Sequence, residues 1–266
     1  MYDQYNRAIN YLRISVTDKC NLRCFYCMPE KGVPLFQHQD ILSYEEITEI
    51  ARFVAKKGVQ KIRLTGGEPL IRRDIVTLVR MLAEVQGIQD LSLTTNGVFL
   101  DNYAENLADA GLDRVNVSLD TLDPEKYKRI TRGGNLEDVL QGIKRADEAG
   151  LKPVKINMVL SEIIDEKDKD QLRNYCSSHG YELRFIHQMN LEKGEFTVVE
   201  GGAGGDCKYC NRLRLTANGK IKPCLFSNLE YDVREMGIER ALNLALENKP
   251  LAGSKNESCT FYRMGG

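Results

Sequence analysis

Eight cysteines are the residues best able to do chemistry in this 266-residue chain, and six of them fall into two tight groups. Cys20, Cys24 and Cys27 have a C-x3-C-x2-C spacing, and Cys207, Cys210 and Cys224 a C-x2-C-x13-C spacing. Cys176 and Cys259 stand apart. Clustered thiols without a secretory leader point to metal binding rather than disulfides, because a reducing compartment keeps thiols free. Three thiolates cannot complete a four-ligand zinc or iron–sulfur site. Either a fourth ligand comes from elsewhere, His38 being the nearest histidine to the first group, or a multi-iron cluster keeps one iron open to an exogenous ligand.

Composition narrows the class. Lys and Arg number 37 and Asp and Glu 38, a net charge of −1 that argues against coating nucleic acid by charge alone. Hydrophobic residues at 42% and charged residues at 28% are ordinary for a globular protein. No apolar run approaches the roughly 20 residues of a membrane span. Met1-Tyr-Asp-Gln-Tyr-Asn-Arg7 lacks the apolar core of a signal peptide. The chain reads as cytoplasmic.

The elements that must position these thiols follow from periodicity. Strand-like runs near 11–16, 60–65, 90–95, 114–119, 154–159 and 182–186 alternate with amphipathic stretches near 43–57, 72–85, 101–110, 135–149 and 166–178. Ser43 with Glu46 forms a capping box at the first helix. Six β/α repeats imply parallel strands joined by helical crossovers. One face of nearly every strand is polar: Arg13 and Ser15; Lys61, Arg63 and Thr65; Ser92 and Thr94; Asn116, Ser118 and Asp120; Lys155 and Asn157; Glu182 and Arg184. A closed eight-stranded barrel fills its interior with branched apolar side chains. The pattern therefore predicts an α/β fold, a partial (β/α)6 TIM-like barrel whose lumen takes an anion on Arg13, Lys61, Arg63, Lys155 and Arg184.

After about residue 187 the β/α rhythm stops. Gly201 to Gly205 reads as a flexible segment, and 213–223 as a hairpin turning at Asn218-Gly219. That hairpin places Cys210 and Cys224 at its two open ends, within reach of one metal site. A last helix is expected near 234–247. The organisation is a partial barrel over 1–190 and a C-terminal cluster-bearing extension over 191–266.

The first cysteine loop, directly after the first strand, resembles that of the radical S-adenosylmethionine (SAM) superfamily. The resemblance implies a 4Fe-4S cluster on Cys20, Cys24 and Cys27 whose open iron is chelated by the methionine end of SAM. Reductive cleavage then yields a 5′-deoxyadenosyl radical. Thr65-Gly-Gly-Glu-Pro69 is similar to the methionine-binding segment of that superfamily. Gly66 and Gly67 would let backbone approach a ligand, and Glu68 would accept from its ammonium. Tyr26 matches the aromatic beside adenine, and Ser118 and Met189 match further SAM contacts.

The second group narrows the resemblance. Cys210-Asn-Arg-Leu-Arg-Leu-Thr216, Lys222-Pro-Cys224-Leu-Phe226, Leu12 to Cys20 and the Gly265-Gly266 end resemble the GTP 3′,8-cyclase family. This implies a second 4Fe-4S cluster on Cys207, Cys210 and Cys224 with an open iron that binds guanine. It implies that Arg13, Arg63, Lys155, Arg212 and Arg214 hold GTP phosphates or sugar, that Thr94 adds a contact, and that Lys61 and Arg184 are further lumen cations. Arg212 and Arg214 join Cys20, Cys24 and Cys27 as the residues expected to be catalytic. The implied reaction abstracts hydrogen from C3′ of GTP, joins C3′ to C8 and gives 3′,8-cyclo-7,8-dihydro-GTP, the first step of molybdenum cofactor biosynthesis. The implied partners are a reductant such as flavodoxin or ferredoxin and a downstream cyclic pyranopterin synthase. Neither nucleic acid nor membrane is implied, and a homodimer is allowed.

Three departures from the family pattern bear on the substrate. The 190–206 segment is short, His187 stands where a glutamate is expected, and the compressed tail carries Cys259. A fourth ligand from Cys259 would close the second cluster; a free thiol leaves it open. A second reading keeps the radical machinery and changes the substrate to another nucleotide or a peptide. A third, a two-cluster electron carrier or a zinc-binding module, sits poorly with the missing fourth cysteines. Cys176 reads as a small buried apolar residue, and Asp165 to Asp170 as a solvated helix start.

Overall fold

The computed structural model describes residues 1–189, 194, 197–202 and 204–253. Six strands run parallel: β1 (Tyr11–Ser15), β2 (Lys61–Thr65), β3 (Asp90–Thr95), β4 (Arg114–Ser118), β5 (Lys155–Leu160) and β6 (Glu182–His187). Between and after them lie α1 (Tyr44–Lys56), α2 (Ile75–Ala83), α3 (Leu100–Asp109), α4 (Pro124–Thr131), α5 (Leu136–Glu148) and α6 (Glu166–His179). The alternation of sequence periods between two and about 3.6 dictates this order, and parallel strands demand the crossovers. Ser43 Oγ accepts from the Glu46 N–H at 3.1 Å while the Glu46 carboxylate accepts from the Ser43 N–H at 2.7 Å, so the expected capping box starts α1.

The outward strand residues and the inward helix stripes make one core. Ile62, Leu64, Leu91, Leu93, Val115, Val117, Ile156 and Met158 are buried with Ile47, Ile50, Leu78, Leu82, Leu107, Val139 and Ile143. Each such side chain contributes roughly 1.5–3 kcal/mol on burial. Cys176 belongs to this core at 2% exposure, and burial pushes its thiol up to about 11.

Two features go beyond the sequence expectation. First, α4 is not among the stretches expected to be helical; only Tyr127 and Ile130 supply an apolar stripe. Asp123 caps it by accepting from the Lys126 N–H at 2.9 Å, and Pro124 occupies the first turn, where no N–H is needed. Second, the hairpin of β7 (Arg212–Leu215) and β8 (Lys220–Lys222) does not stand off the barrel. β7 pairs in parallel with β1, and β8 pairs with β9 (Tyr231–Asp232), ahead of α7 (Val233–Met236) and α8 (Ile238–Glu247). The sheet order is β6-β5-β4-β3-β2-β1-β7-β8-β9, so β6 and β9 are its end strands and do not pair with each other. Residues of β6 and β7 nevertheless line one cavity, which requires the sheet to curve around it without closing.

Candidate functional site

Two groups of functional side chains occupy different levels of this partial barrel. The first lies beyond the C-terminal ends of β1–β4, where open α/β sheets place ligands. The chain leaves β1 into the loop bearing Cys20, Cys24 and Cys27. That loop is tied down at several points. Asp18 accepts from the Phe36 N–H at 2.6 Å, and the N–H groups of Arg23 and Phe25 donate to the Thr131 and Ile130 carbonyls at the end of α4. Arg132 donates to the Met28 carbonyl at 2.9 Å. The unexpected helix is thus the support of the first cysteine group.

Gly66 and Gly67 serve this packing. The Gly67 N–H donates to the Thr17 carbonyl at 2.8 Å and the Glu68 N–H to the Lys19 carbonyl at 2.7 Å. A Cβ on Gly67 would stand 2.1 Å from the Lys19 oxygen, and one on Gly66 2.6 Å from that of Thr17. The close approach is to the chain's own cysteine loop. Glu68, 1% exposed, is also engaged internally: it accepts from the Leu70 N–H at 3.0 Å, the Thr95 hydroxyl at 2.7 Å and the Asn96 N–H at 2.7 Å. Burial pushes its carboxyl up to about 7 against these donors. Glu68 therefore locks the β2 turn to the β3 turn.

Tyr26 donates to Asp120 at 2.7 Å, and Asp120 also accepts from the Val159 N–H at 2.8 Å. Burial raises the Asp120 carboxyl to about 6. Ser118 ends β4 in register with Asn157, and Thr94 Oγ1 is buried with no hydrogen-bond partner among the described residues. Burial raises all three thiols of the loop, Cys27 to about 11, and each of Cys24 and Cys27 is raised further by its cysteine neighbours. Three mutually repelling sulfurs on one loop fit a positively charged cluster that would offset them. Among the described residues no three His, Cys, Asp or Glu side chains converge on a single-ion position.

The second group lines a cavity of about 360 Å³ in the lumen, within the size range of small-molecule sites. Its walls carry nine Lys or Arg side chains against two Asp, in a chain whose total charge is −1. All seven expected lumen cations are there: Arg13, Lys61, Arg63, Lys155, Arg184, Arg212 and Arg214. Cys207, Cys210, Cys224 and Met189 also line it, Met189 against Leu225 and Phe226. Cys210 and Cys224 flank the hairpin's open end as the turn chemistry predicts. Among the described residues the Nε atoms of Arg13, Arg114, Arg184 and Arg212 and the Tyr11 hydroxyl are buried and find no hydrogen-bond partner. Buried donors are normally satisfied, so such a set marks the place of a ligand rich in acceptors. Burial, and then the neighbouring guanidiniums, hold Arg13 well below its usual value, and Arg214 falls to about 10. An anion would relieve both causes.

Three lining residues escaped the sequence reading. Tyr11 lies two residues before Arg13 on the same strand face; its ring sits 5.6 Å and 5.9 Å from the guanidinium carbons of Arg63 and Arg212. Arg114 lies two before Asn116 and pairs through both terminal nitrogens with Asp90. Extending the strand alternation by one step finds both. Lys249, after α8, carried no signal. Cys20, Cys24, Cys27, Tyr26, Gly66, Gly67, Glu68, Thr94 and Ser118 are not among the cavity walls. His187 faces Glu200 at 3.0 Å rather than the cavity. The glycine-rich segment is not a free linker where it is described: Glu200 bridges to Phe185, Gly201 packs on the Leu183 carbonyl, and Gly202, Gly204 and Gly205 wall the cavity beside Arg184. Cys259 and the Gly-Gly end lie outside the described residues.

A cysteine-bearing loop after β1 of an open barrel, with a glycine turn packed under it, defines a class of protein. Residues 14–176 match the Radical SAM superfamily, whose cofactors are SAM and a 4Fe-4S cluster. The chain is 40% identical to the GTP 3′,8-cyclase of Limosilactobacillus fermentum over 94% of its own length and 91% of that protein's. It is 43% identical to the GTP 3′,8-cyclase of Moorella thermoacetica over 88% and 86%. The chain belongs to the GTP 3′,8-cyclase family of radical SAM proteins. The first of these alignments spans 302 positions, more than the 266 residues here, so that relative carries insertions this chain lacks. The fold is shared with Streptococcus suis SuiB bound to S-adenosylmethionine, at TM-score 0.69 and 18% identity, covering 92% of this chain and 67% of that one. It is shared also with anSMEcpe with bound AdoMet, at TM-score 0.65 and 15% identity, covering 90% and 81%. Among the described residues no helix is long and apolar enough to cross a membrane.

Proposed function

We propose that this protein is a radical SAM enzyme that converts GTP to 3′,8-cyclo-7,8-dihydro-GTP in molybdenum cofactor biosynthesis. The observation that carries the reading is the lumen cavity, with nine cations on its walls and three cysteines on its rim. Cys20, Cys24 and Cys27 hold the cluster that SAM joins; Cys207, Cys210 and Cys224 hold a second 4Fe-4S cluster. When bound, the first cluster and SAM supply the 5′-deoxyadenosyl radical that takes hydrogen from C3′ of the nucleotide, with the electron coming from an external reductant such as flavodoxin or ferredoxin.

The chain's own residues bind, orient and shield. Arg13, Arg63 and Arg214 present guanidiniums from three adjacent strands to the triphosphate, where bidentate pairing is strongest. Lys155 and Arg184 close the opposite wall. Glu182 sits by both, and although burial would raise its carboxyl, their charges hold it below its usual value. It keeps the two cations ordered before the phosphates arrive. Tyr26, fixed by Asp120, stands by the adenine end of SAM, and the turn of Gly66 and Gly67 presents backbone to its methionine end. The glycine-rich wall beside Arg184 keeps water from the reacting carbons.

A second reading keeps the radical chemistry and changes the nucleotide. The short 190–206 segment and His187 favour it. One experiment decides between them: anaerobic reconstitution with iron and sulfide, then reductant, SAM and GTP, with products followed by mass spectrometry. A GTP isomer of unchanged mass and altered fragmentation establishes the cyclase. Deoxyadenosine with unaltered GTP refutes it in favour of another anionic substrate.

A further inference from the structure

Lys249 is, with Lys222, one of two almost fully buried lysines among the described residues. It follows α8 and is 1% exposed, yet its ammonium reaches the heart of the second cysteine site. Nζ donates to the Arg212 carbonyl at 2.8 Å and to the Pro223 carbonyl at 2.6 Å. Arg212 is two residues after Cys210, and Pro223 is the residue before Cys224. One ammonium thus ties together the two strands whose ends bear those thiols. The third cysteine has its own clamp: Arg7 donates to the Cys207 carbonyl at 2.7 Å and to the Pro250 carbonyl at 2.7 Å, next to Lys249.

The two cations differ in one respect. Arg7 is neutralised by the buried carboxylate of Asp3 at 2.6 Å. Among the described residues no carboxylate forms an ion pair with Lys249; its ammonium donates to two neutral carbonyls and lies within hydrogen-bond reach of the Cys210 sulfur. A buried ammonium without a counter-ion costs several kcal/mol, so the site must supply negative charge from another source. The sulfurs of Cys210 and Cys224, which line the same cavity as Lys249, are the groups placed to supply it.

Building on the second-cluster reading, we propose that Lys249 is the positioning residue of that cluster. It fixes the segments bearing Cys210 and Cys224 and supplies the fixed positive charge against which their thiolates and the cluster are held. A positive charge at that place favours the reduced cluster and so raises its potential.

The test uses the full chain with the first cysteine group replaced (Cys20→Ala, Cys24→Ala, Cys27→Ala), so that only the second site takes iron. In that background Lys249→Met removes both the donors and the charge, while Lys249→Gln keeps an N–H donor and removes the charge alone. After anaerobic reconstitution, K249M is expected to hold less than half the iron and sulfide of the background protein. K249Q is expected to hold it, with a midpoint potential shifted negative in an EPR-monitored redox titration. Should K249M fail to fold, the K249Q potential decides. Background iron content and potential in both variants overturn the proposal. A background protein that binds no iron with Lys249 intact overturns the second cluster itself, and the proposal with it.

Discussion

Arg13 stands directly beside Arg214 at one level of the parallel pair β1–β7. Arg63 flanks Arg13 from β2 at the same level. Neighbouring strands are about 4.8 Å apart, and like charges side by side destabilise a sheet. The arrangement is therefore held against its own repulsion, and a polyanion is what it suits.

Arg214→Met should separate function from stability. Removing one guanidinium relieves repulsion, so the nucleotide-free protein is expected to melt at a higher temperature than the parent. Losing charge-assisted hydrogen bonds worth about 1.5–3 kcal/mol should weaken GTP binding roughly tenfold to a hundredfold. Calorimetric melting with and without GTP checks both, and a variant with a lower melting point and undiminished GTP stabilisation refutes the account.

Cys24→Ala should abolish reductive SAM cleavage, since the two remaining thiols on that loop cannot hold the cluster. The readout is 5′-deoxyadenosine by chromatography under strong reductant. Its continued formation would sink the assignment of Cys20, Cys24 and Cys27.

Gly67→Ala should damage the same cluster without touching a ligand. Its new methyl group would meet the Lys19 carbonyl at 2.1 Å, so backbone on one side must move. A cost of about 2 kcal/mol or more is expected, with partial loss of iron from the first site. Urea titration together with iron analysis of a variant lacking the second cysteine group measures it; unchanged values in both contradict the packing role.

Glu68 should leave a signature in the pH dependence of stability. Its carboxyl is raised from 4.5 to about 7 by burial, so the folded protein binds a proton that the unfolded chain has released. Stability from this group is fully present below about pH 4.5 and is lost as pH rises towards 7, by an upper bound of about 3 kcal/mol. Denaturant unfolding across that window should show the parent losing stability relative to Glu68→Gln. Parallel pH profiles for the two proteins would contradict it.

The sequence by itself determined the six parallel strands, most of the helices between them and most of the site's inventory. Strand alternation put Arg13, Lys61, Arg63, Lys155 and Arg184 on one face, and all five line the cavity, because a residue's side on a strand is set by its parity alone. Stopping that alternation early is what left Tyr11 and Arg114 unseen. The cysteine spacings and the Asn218-Gly219 turn were likewise local facts. Only the tertiary structure decided what depends on approach between distant segments. It joined β7 to β1, which aligns Arg214 with Arg13 and brings the second cysteine group over the cationic lumen. It turned Glu68 inward onto Thr95 and Asn96, and it set α4 beneath the first cysteine loop. It also carried Lys249 from beyond α8 to the strands bearing Cys210 and Cys224. No local pattern encodes those meetings, since they arise from how the core packs and not from any residue's neighbours along the chain.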